Sequence, residues 1–304
     1  MSTPISRRTA LKQIGASTAL FATGVAAAPL SMNAAEKLPA PPRNGRVKQS
    51  VCQWCYGKLS LDELAAAAAG MGLKSVELIQ PKDFATVRKY GLVCAMVGNP
   101  TTKLGEITVG GIDKAWNRLE YHDALVPIYE AQLHATAEAG YPNLICFSGN
   151  RAGLADDAGL ENCAVGLKRI LPLAEKLGVT VCMELLNSRV NHKDYMCDHT
   201  AWGVELCKRL GSPRFKLLYD IYHMQIMEGD VIRTVTDYHQ YIGHYHTGGV
   251  PGRHEIDETQ ELFYPAIMRA ILETGYQGYV AQEFLPSRAD LIAALRQGVQ
   301  ICDV

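Results

Sequence analysis

The chain has 304 residues, with 30 Lys and Arg against 31 Asp and Glu, for a formal net charge of −1. Such a balance gives no electrostatic reason to bind nucleic acid or an anionic membrane surface. A hydrophobic content of 48% is ordinary for a globular domain with a sizeable core.

Residues 1–35 read as an address. Ser6-Arg7-Arg8-Thr9-Ala10-Leu11-Lys12 has the form of a twin-arginine signal, and an uncharged Ala/Gly/Thr-rich stretch, Ile14 to Pro29, follows it. That stretch is too short and too weakly apolar for a transmembrane helix. Small residues at Val25-Ala26-Ala27 and at Ala34-Ala35 both offer cleavage sites. The expectation is a periplasmic or secreted protein that folds before export and keeps no membrane attachment after cleavage. Residues 36–46, with Pro39, Pro41 and Pro42, read as an exposed linker.

Residues 47–304 remain as one domain, and those 258 residues are close to the roughly 250 of a (β/α)₈ barrel. Apolar strand-like runs occur at 47–54, 75–79, 92–97, 143–148, 179–185, 215–220, 242–247 and 278–284. Helical segments lie between them at 61–71, 121–139, 161–177, 199–210, 262–273 and 289–301. Ser60 with Glu63 three residues on is a capping box for the first helix. Gly178, Gly211 and Gly275 stand where helices end on a left-handed residue. Apolar strands alternating with amphipathic helices predict a parallel sheet covered by helices, and eight units predict its closure into a barrel. The long segment 98–120 is a candidate lid.

Nine cysteines are an odd number, and Cys94, Cys146 and Cys182 fall inside predicted strands, where a buried thiol packs as a small apolar group. Cys52-x-x-Cys55 alone has metal or redox spacing, and with no second pair to match it packing is the better account.

The chemistry lies at strand exits. Four apolar runs end on Glu184, Asp220, His246 and Glu283, separated by 36, 26 and 37 residues, each step long enough for one strand-loop-helix unit. Burying a charge is costly unless it is paired or bound to metal. One oxygen or nitrogen ligand per unit is how a (β/α)₈ barrel assembles a site on its C-terminal face. His244 should share a side of its strand with His246, so either imidazole can be the ligand. The competing roles are pairing of Glu184 and Glu283 with Arg or Lys, helix capping by Asp220, core packing of His223, and solvent exposure of Arg253 and His254. Asn187 and Arg189 follow the fifth predicted strand and are placed to face substrate.

Asp220-Ile-Tyr-His-Met-Gln-Ile-Met-Glu-Gly-Asp230 resembles the hydroxypyruvate isomerase family, within the xylose-isomerase-like barrels of sugar isomerases and epimerases. Glu184-Leu-Leu-Asn187 is similar to that family's Glu-Pro-Leu-Asn segment, Val250-Pro-Gly-Arg-His-Glu255 to its Pro-Gly-Arg-His-Glu loop, and 275–284 to its last strand. The resemblance implies a divalent-metal-assisted isomerase of a small hydroxy-carbonyl sugar or hydroxy-keto acid, in a chain that leaves room for a homo-oligomer. It implies Glu184, Asp220, His246 and Glu283 as metal ligands, with Glu184 and Glu283 also catalytic. His223 and Arg253 match substrate-contacting positions, and Asn187 and His254 join them as expected substrate neighbours. Two departures are present: His246 stands where hydroxypyruvate isomerases carry Gln and ketose 3-epimerases carry His, and Gln53-Trp54-Cys55-Tyr56 replaces a Phe-and-acid pattern.

Isomerising an α-hydroxy carbonyl passes through an enediolate, whose charge a hard cation such as Mg²⁺ or Mn²⁺ stabilises as a Lewis acid. Two glutamates on different sides of the substrate then serve as base and acid. The rival readings are a ketose 3-epimerase, a polyol or keto-acid dehydratase, an endonuclease-IV-like repair enzyme, and an exported barrel that binds metal or sugar without turnover. The net charge of −1 and the short ligand list argue against the repair enzyme.

Overall fold

The computed structural model describes residues 44–304. The twin-arginine segment, its cleavage sites and the prolines of the linker lie outside them. The end of the linker is fixed: Asp303 accepts the backbone N–H groups of Asn44 and Gly45 at 2.9 and 2.8 Å.

In chain order the elements are β1 (Lys48–Cys52), α1 (Leu61–Gly70), β2 (Ser75–Glu77), α2 (Phe84–Arg88), a small hairpin of β3 (Thr102–Leu104) and β4 (Ile107–Val109), then α3 (His122–Glu138) and β5 (Asn143–Cys146). There follow α4 (Asp156–Leu167), α5 (Leu171–Leu177), β6 (Thr180–Glu184), α6 (Thr200–Leu210), β7 (Phe215–Asp220), α7 (Ile221–Met227) and α8 (Val231–Tyr238). The chain ends with β8 (Ile242–Thr247), α9 (Tyr264–Glu273), β9 (Tyr279–Gln282) and α10 (Leu291–Ile301).

Seven strands form one parallel sheet in the order β2-β1-β9-β8-β7-β6-β5. Between its two ends runs the segment Leu92–Val97, expected as a full strand. It makes only single parallel bridges, Val93 to Ser75 and Val97 to Leu144. Backbone bonds still tie it to both neighbours, among them Val93 N–H to the Lys74 carbonyl at 3.1 Å and Val97 N–H to the Asn143 carbonyl at 2.9 Å. Side chains serve Ala95 between them: the Ser75 hydroxyl accepts its N–H at 2.8 Å, and Asn143 donates to its carbonyl at 2.8 Å. The circle therefore closes as an eight-position barrel with one position held partly by side chains.

A second expectation is also corrected. The single helix expected over 161–177 is two helices, α4 and α5, because Pro172 at the start of α5 has no N–H and its ring excludes the carbonyl four residues back. The capping box at Ser60 and Glu63 is present as read, and Gly178 and Gly211 close α5 and α6 with φ of 72° and 64°. All nine cysteines are unpaired and buried, as core packing requires. Among the described residues no helix is long and apolar enough to cross a membrane.

Candidate active site

Parallel strands deliver their C-terminal ends to one rim. Here β6 ends on Glu184, β7 ends on Asp220, β8 carries His246 one residue before its end, and Glu283 follows β9 directly. One ligand-type atom from each of these four buried side chains lies within 4.8 Å of the other three. The exit pattern seen in the sequence thus becomes one cluster.

Arg253, on the loop between β8 and α9, reaches into the cluster. Its Nη2 donates to Glu283 Oε2 at 2.6 Å and to Asp220 Oδ2 at 3.0 Å. Its guanidinium lies over the rings of Trp54 and Tyr222, 5.1 and 5.3 Å from their centres. The Trp54 indole N–H donates to the other Glu283 oxygen at 2.8 Å. Arg253 itself takes a left-handed backbone, φ 60°, a conformation that costs energy in a non-glycine residue. The loop that imposes it folds tightly around Gly249, where a Cβ would stand 2.2 Å from the Glu255 carbonyl oxygen.

His246 links this cluster to a deeper one. Its Nδ1 is 2.8 Å from Glu283 Oε2 and 3.6 Å from Glu184 Oε1, while its Nε2 is 2.9 Å from Oε1 of Glu77. The same Glu77 oxygen lies 2.8 Å from Nε2 of His244. Of the two histidines open to the ligand role, His246 therefore joins the four-residue cluster and His244 joins Glu77.

Three carboxyl groups cannot all ionise freely in so small a buried volume. Burial, and then the charge of Glu283, push the Glu184 carboxyl up. Burial also pushes Asp220 well up, and outweighs Arg253 there. Glu283 is held well below the usual range, because the charges of His246 and Arg253 outweigh its burial. Burial likewise pushes Glu77 up, but its two histidines outweigh this and bring it to about 2. His223 is kept neutral by burial and by the nearby Arg253 charge.

Above the cluster opens a cavity of about 530 Å³, lined at its base by Glu184, Glu283, Arg253 and His192, and on its walls by Trp54, Gln80, Phe147 and Ile112. Gly111 and Ile112, just beyond the β3–β4 hairpin, bring the expected lid segment to the edge of this cavity.

The four expected substrate neighbours divide. Arg253 lines the cavity. His223 is fully buried behind Asp220: Asp220 caps its backbone N–H at 3.2 Å, and its Nδ1 faces the Asn187 amide at 2.6 Å. Asn187 spends its own oxygen on the backbone N–H groups of Val190 and Asn191, both at 2.9 Å, in a local turn. Neither His223 nor Asn187 is among the cavity walls. His254, next to the left-handed Arg253, does not line the cavity, and its exposed ring contacts the Leu285 carbonyl at 2.9 Å. Sequence reasoning missed Glu77, Trp54, His192 and Gln80. Glu77 carried no strand-exit sign, since Leu78 and Ile79 continue the apolar stretch past it.

The donor set fits a hard divalent cation. Three carboxyl groups and one imidazole converge, and Glu184 Oε1 is buried with no hydrogen-bond partner. A cation held by Glu184, Asp220, His246 and Glu283 would answer that unpartnered oxygen.

The chain belongs to the xylose isomerase-like TIM barrel family, whose family model matches residues 65–301. Its relatives include isomerases. The 2-oxo-tetronate isomerase of Cupriavidus necator is 31% identical over 244 residues, which cover 77% of this chain and 90% of that protein. The hydroxypyruvate isomerase of Escherichia coli is 35% identical over 105 residues, only 34% of this chain and 40% of that protein. Among solved structures, the barrel superposes on a crystal structure described as a family 2 AP endonuclease from Brucella melitensis. The TM-score is 0.71 at 26% identity, covering 82% of this chain and 97% of the other.

Proposed function

We propose that the chain is a divalent-metal-dependent isomerase of a small hydroxy-carbonyl sugar or sugar acid. The observation that carries this is the convergence of Glu184, Asp220, His246 and Glu283, of which Glu184 and Glu283 line an open cavity. A bound Mg²⁺ or Mn²⁺ would supply Lewis-acid stabilisation of the enediolate charge. The chain's own residues do the rest. Glu184 and Glu283 line the same cavity but come from β6 and β9, which are separated in the sheet by β7 and β8. They therefore face a substrate from different sides, one positioned to take a proton from carbon and the other to return it. Arg253 offers a cation at the cavity floor for a carboxylate or hydroxyl of the substrate.

His246 is the observation that favours a second reading, a ketose 3-epimerase, since it matches the residue those barrels carry at this strand. A dehydratase on the same residues, and a non-catalytic exported binding barrel, are separated by the same assay. The repair activity named for the Brucella structure is not carried over, because a net charge of −1 does not suit a polyanionic substrate. Incubation with Mn²⁺ and a panel of hydroxy-keto acids, tetronates and ketoses should give an aldose–ketose type product that disappears with EDTA and returns with Mn²⁺. A C3-inverted ketose as sole product would establish the epimerase, and no turnover of any panel member would oppose both. We further propose export by the twin-arginine pathway, supported by Arg7 and Arg8 ahead of an uncharged stretch.

A further inference from the structure

Below the four converging side chains lies a sealed layer that the proposed reaction does not use. It consists of Glu77 from the end of β2, His244 from β8, and Cys52 from the end of β1, all fully buried. A carboxylate placed inside a barrel without Arg or Lys beside it is costly, and barrel interiors are ordinarily filled by branched aliphatic residues. Here its partners are two imidazoles on one strand. Glu77 Oε1 is 2.8 Å from Nε2 of His244 and 2.9 Å from Nε2 of His246, with the Cys52 thiol 3.8 Å away.

Each nitrogen of His246 faces a carboxylate oxygen, Nε2 that of Glu77 at 2.9 Å and Nδ1 that of Glu283 at 2.8 Å, and a carboxylate only accepts, so the ring as it stands donates from both ends. Only Nδ1 also faces Glu184, so it is the nitrogen that would give up its proton to hold a cation in that cluster, while Glu77 keeps the proton on Nε2. We propose that Glu77 is a positioning residue that fixes the ring orientation and tautomer of His246, so that Nδ1 is the donor atom offered to a cation, with His244 bracing Glu77 from the other side. This rests on the metal-dependent reading above. Histidine ligands are commonly held in this way by a hydrogen bond on the second ring nitrogen. Without Glu77, the His246 ring can turn over or carry its proton on Nδ1, and either change removes the donor.

The same three residues, Glu77, His244 and His246, also converge closely enough to be considered as ligands of a second ion. Their separations of 2.8 and 2.9 Å are hydrogen-bond lengths. The His246 Nδ1–Glu283 Oε2 distance of 2.8 Å is a hydrogen-bond length too, so the number of ions bound, not the spacing, separates the two groups.

The test uses the full chain labelled with ¹⁵N-histidine, and Mn²⁺ and Mg²⁺ as probes. Glu77→Gln keeps the shape but presents an amide that can either donate or accept. It should bind Mn²⁺ about 10–100-fold more weakly in calorimetry, and the Nε2–H signature of His246 in the Mg²⁺-loaded parent should be lost or mixed. His244→Phe, which keeps a ring but frees Glu77, should weaken Mn²⁺ binding by less and broaden the same resonance. It also serves if Glu77→Gln does not fold. Unchanged affinity together with an unchanged His246 tautomer in these variants would overturn the proposal. So would two ions per parent chain with one lost in Glu77→Gln, which makes Glu77 a ligand. A parent that binds no Mn²⁺ refutes the metal reading instead. In that case the hydrogen-bonded Nε2–H of His246 is read in the ion-free parent: its loss in Glu77→Gln supports the positioning role, and its persistence overturns it.

Discussion

Arg253 holds two of the three carboxyl groups at once, and that decides what its removal should do. Its Nη2 bonds Asp220 and Glu283 at 3.0 and 2.6 Å while Trp54 and Tyr222 flank the guanidinium plane. In Arg253→Ala we expect the KM for the carbonyl substrate to rise by one to two orders of magnitude, about 1.4 kcal/mol per tenfold, with a smaller fall in kcat. Arg253→Lys should not restore it, because an ammonium has no planar group to lie against the Trp54 and Tyr222 rings. Steady-state kinetics on both variants checks this, and a lysine variant with parental KM would contradict it. At this scale the legible residues were those for which one physical cost governed position. Glu184, Asp220 and Glu283 each end an apolar run, and a charge there needs a partner. His254 came with the resemblance of its loop, and the left-handed residue before it at Arg253, φ 60°, has no local sign in the sequence. Glu77 was passed over because its strand is only three residues long, so the acid read as interior to a longer apolar stretch.

At the scale of elements, the loops beyond the strand ends need their own anchors. The loop after β6 is tied to the loop after β5 by Asp198, which accepts from Arg151, from Ser188 at 2.6 Å, and pairs with His199 at 2.8 Å. Burial pushes the Asp198 carboxyl up, but these hydrogen bonds outweigh it and leave the carboxyl below its ordinary value. A depressed folded-state value means that the stabilisation is present above the unfolded value near 3.8 and is lost as pH falls through the folded one. Thermal unfolding from pH 6 down to pH 3 should therefore show a steeper acid loss in the parent than in Asp198→Asn, and parallel curves would refute the assignment. The loop after β8 depends on Gly249 instead. A Cβ there meets a backbone oxygen at 2.2 Å, which cannot swing aside as a side-chain tip can, so Gly249→Ala should displace Arg253. The expected result is a variant that folds with only a modest loss of Tm but shares the raised KM of Arg253→Ala; a parental KM would mean that the loop adjusts freely. Helix caps were legible here because they are local chemistry: Ser60 and Glu63 bond each other's backbone as read. The break in the strand at Leu92–Val97 was not, since the Ser75 and Asn143 side chains of neighbouring strands take over the pairing of Ala95, a tertiary arrangement with no local sign.

For the whole molecule, the barrel was readable because period and length agree: repeated units of strand and helix in a domain of the expected size leave few other closures. Replacing Arg7 and Arg8 together by Lys should retain the protein in the cytoplasm, read by fractionation, and undiminished delivery across the membrane would refute the export proposal. The central claim is that four strand exits make one proton-transfer site. Solvent deuterium incorporation into a turned-over substrate, measured with Mn²⁺ for the parent, Glu184→Gln and Glu283→Gln, tests it most directly. The account predicts deuterium at the carbon beside the carbonyl in the parent, and exchange slowed roughly 10²–10⁴-fold in each variant. Exchange at the parental rate in either glutamine variant would contradict it.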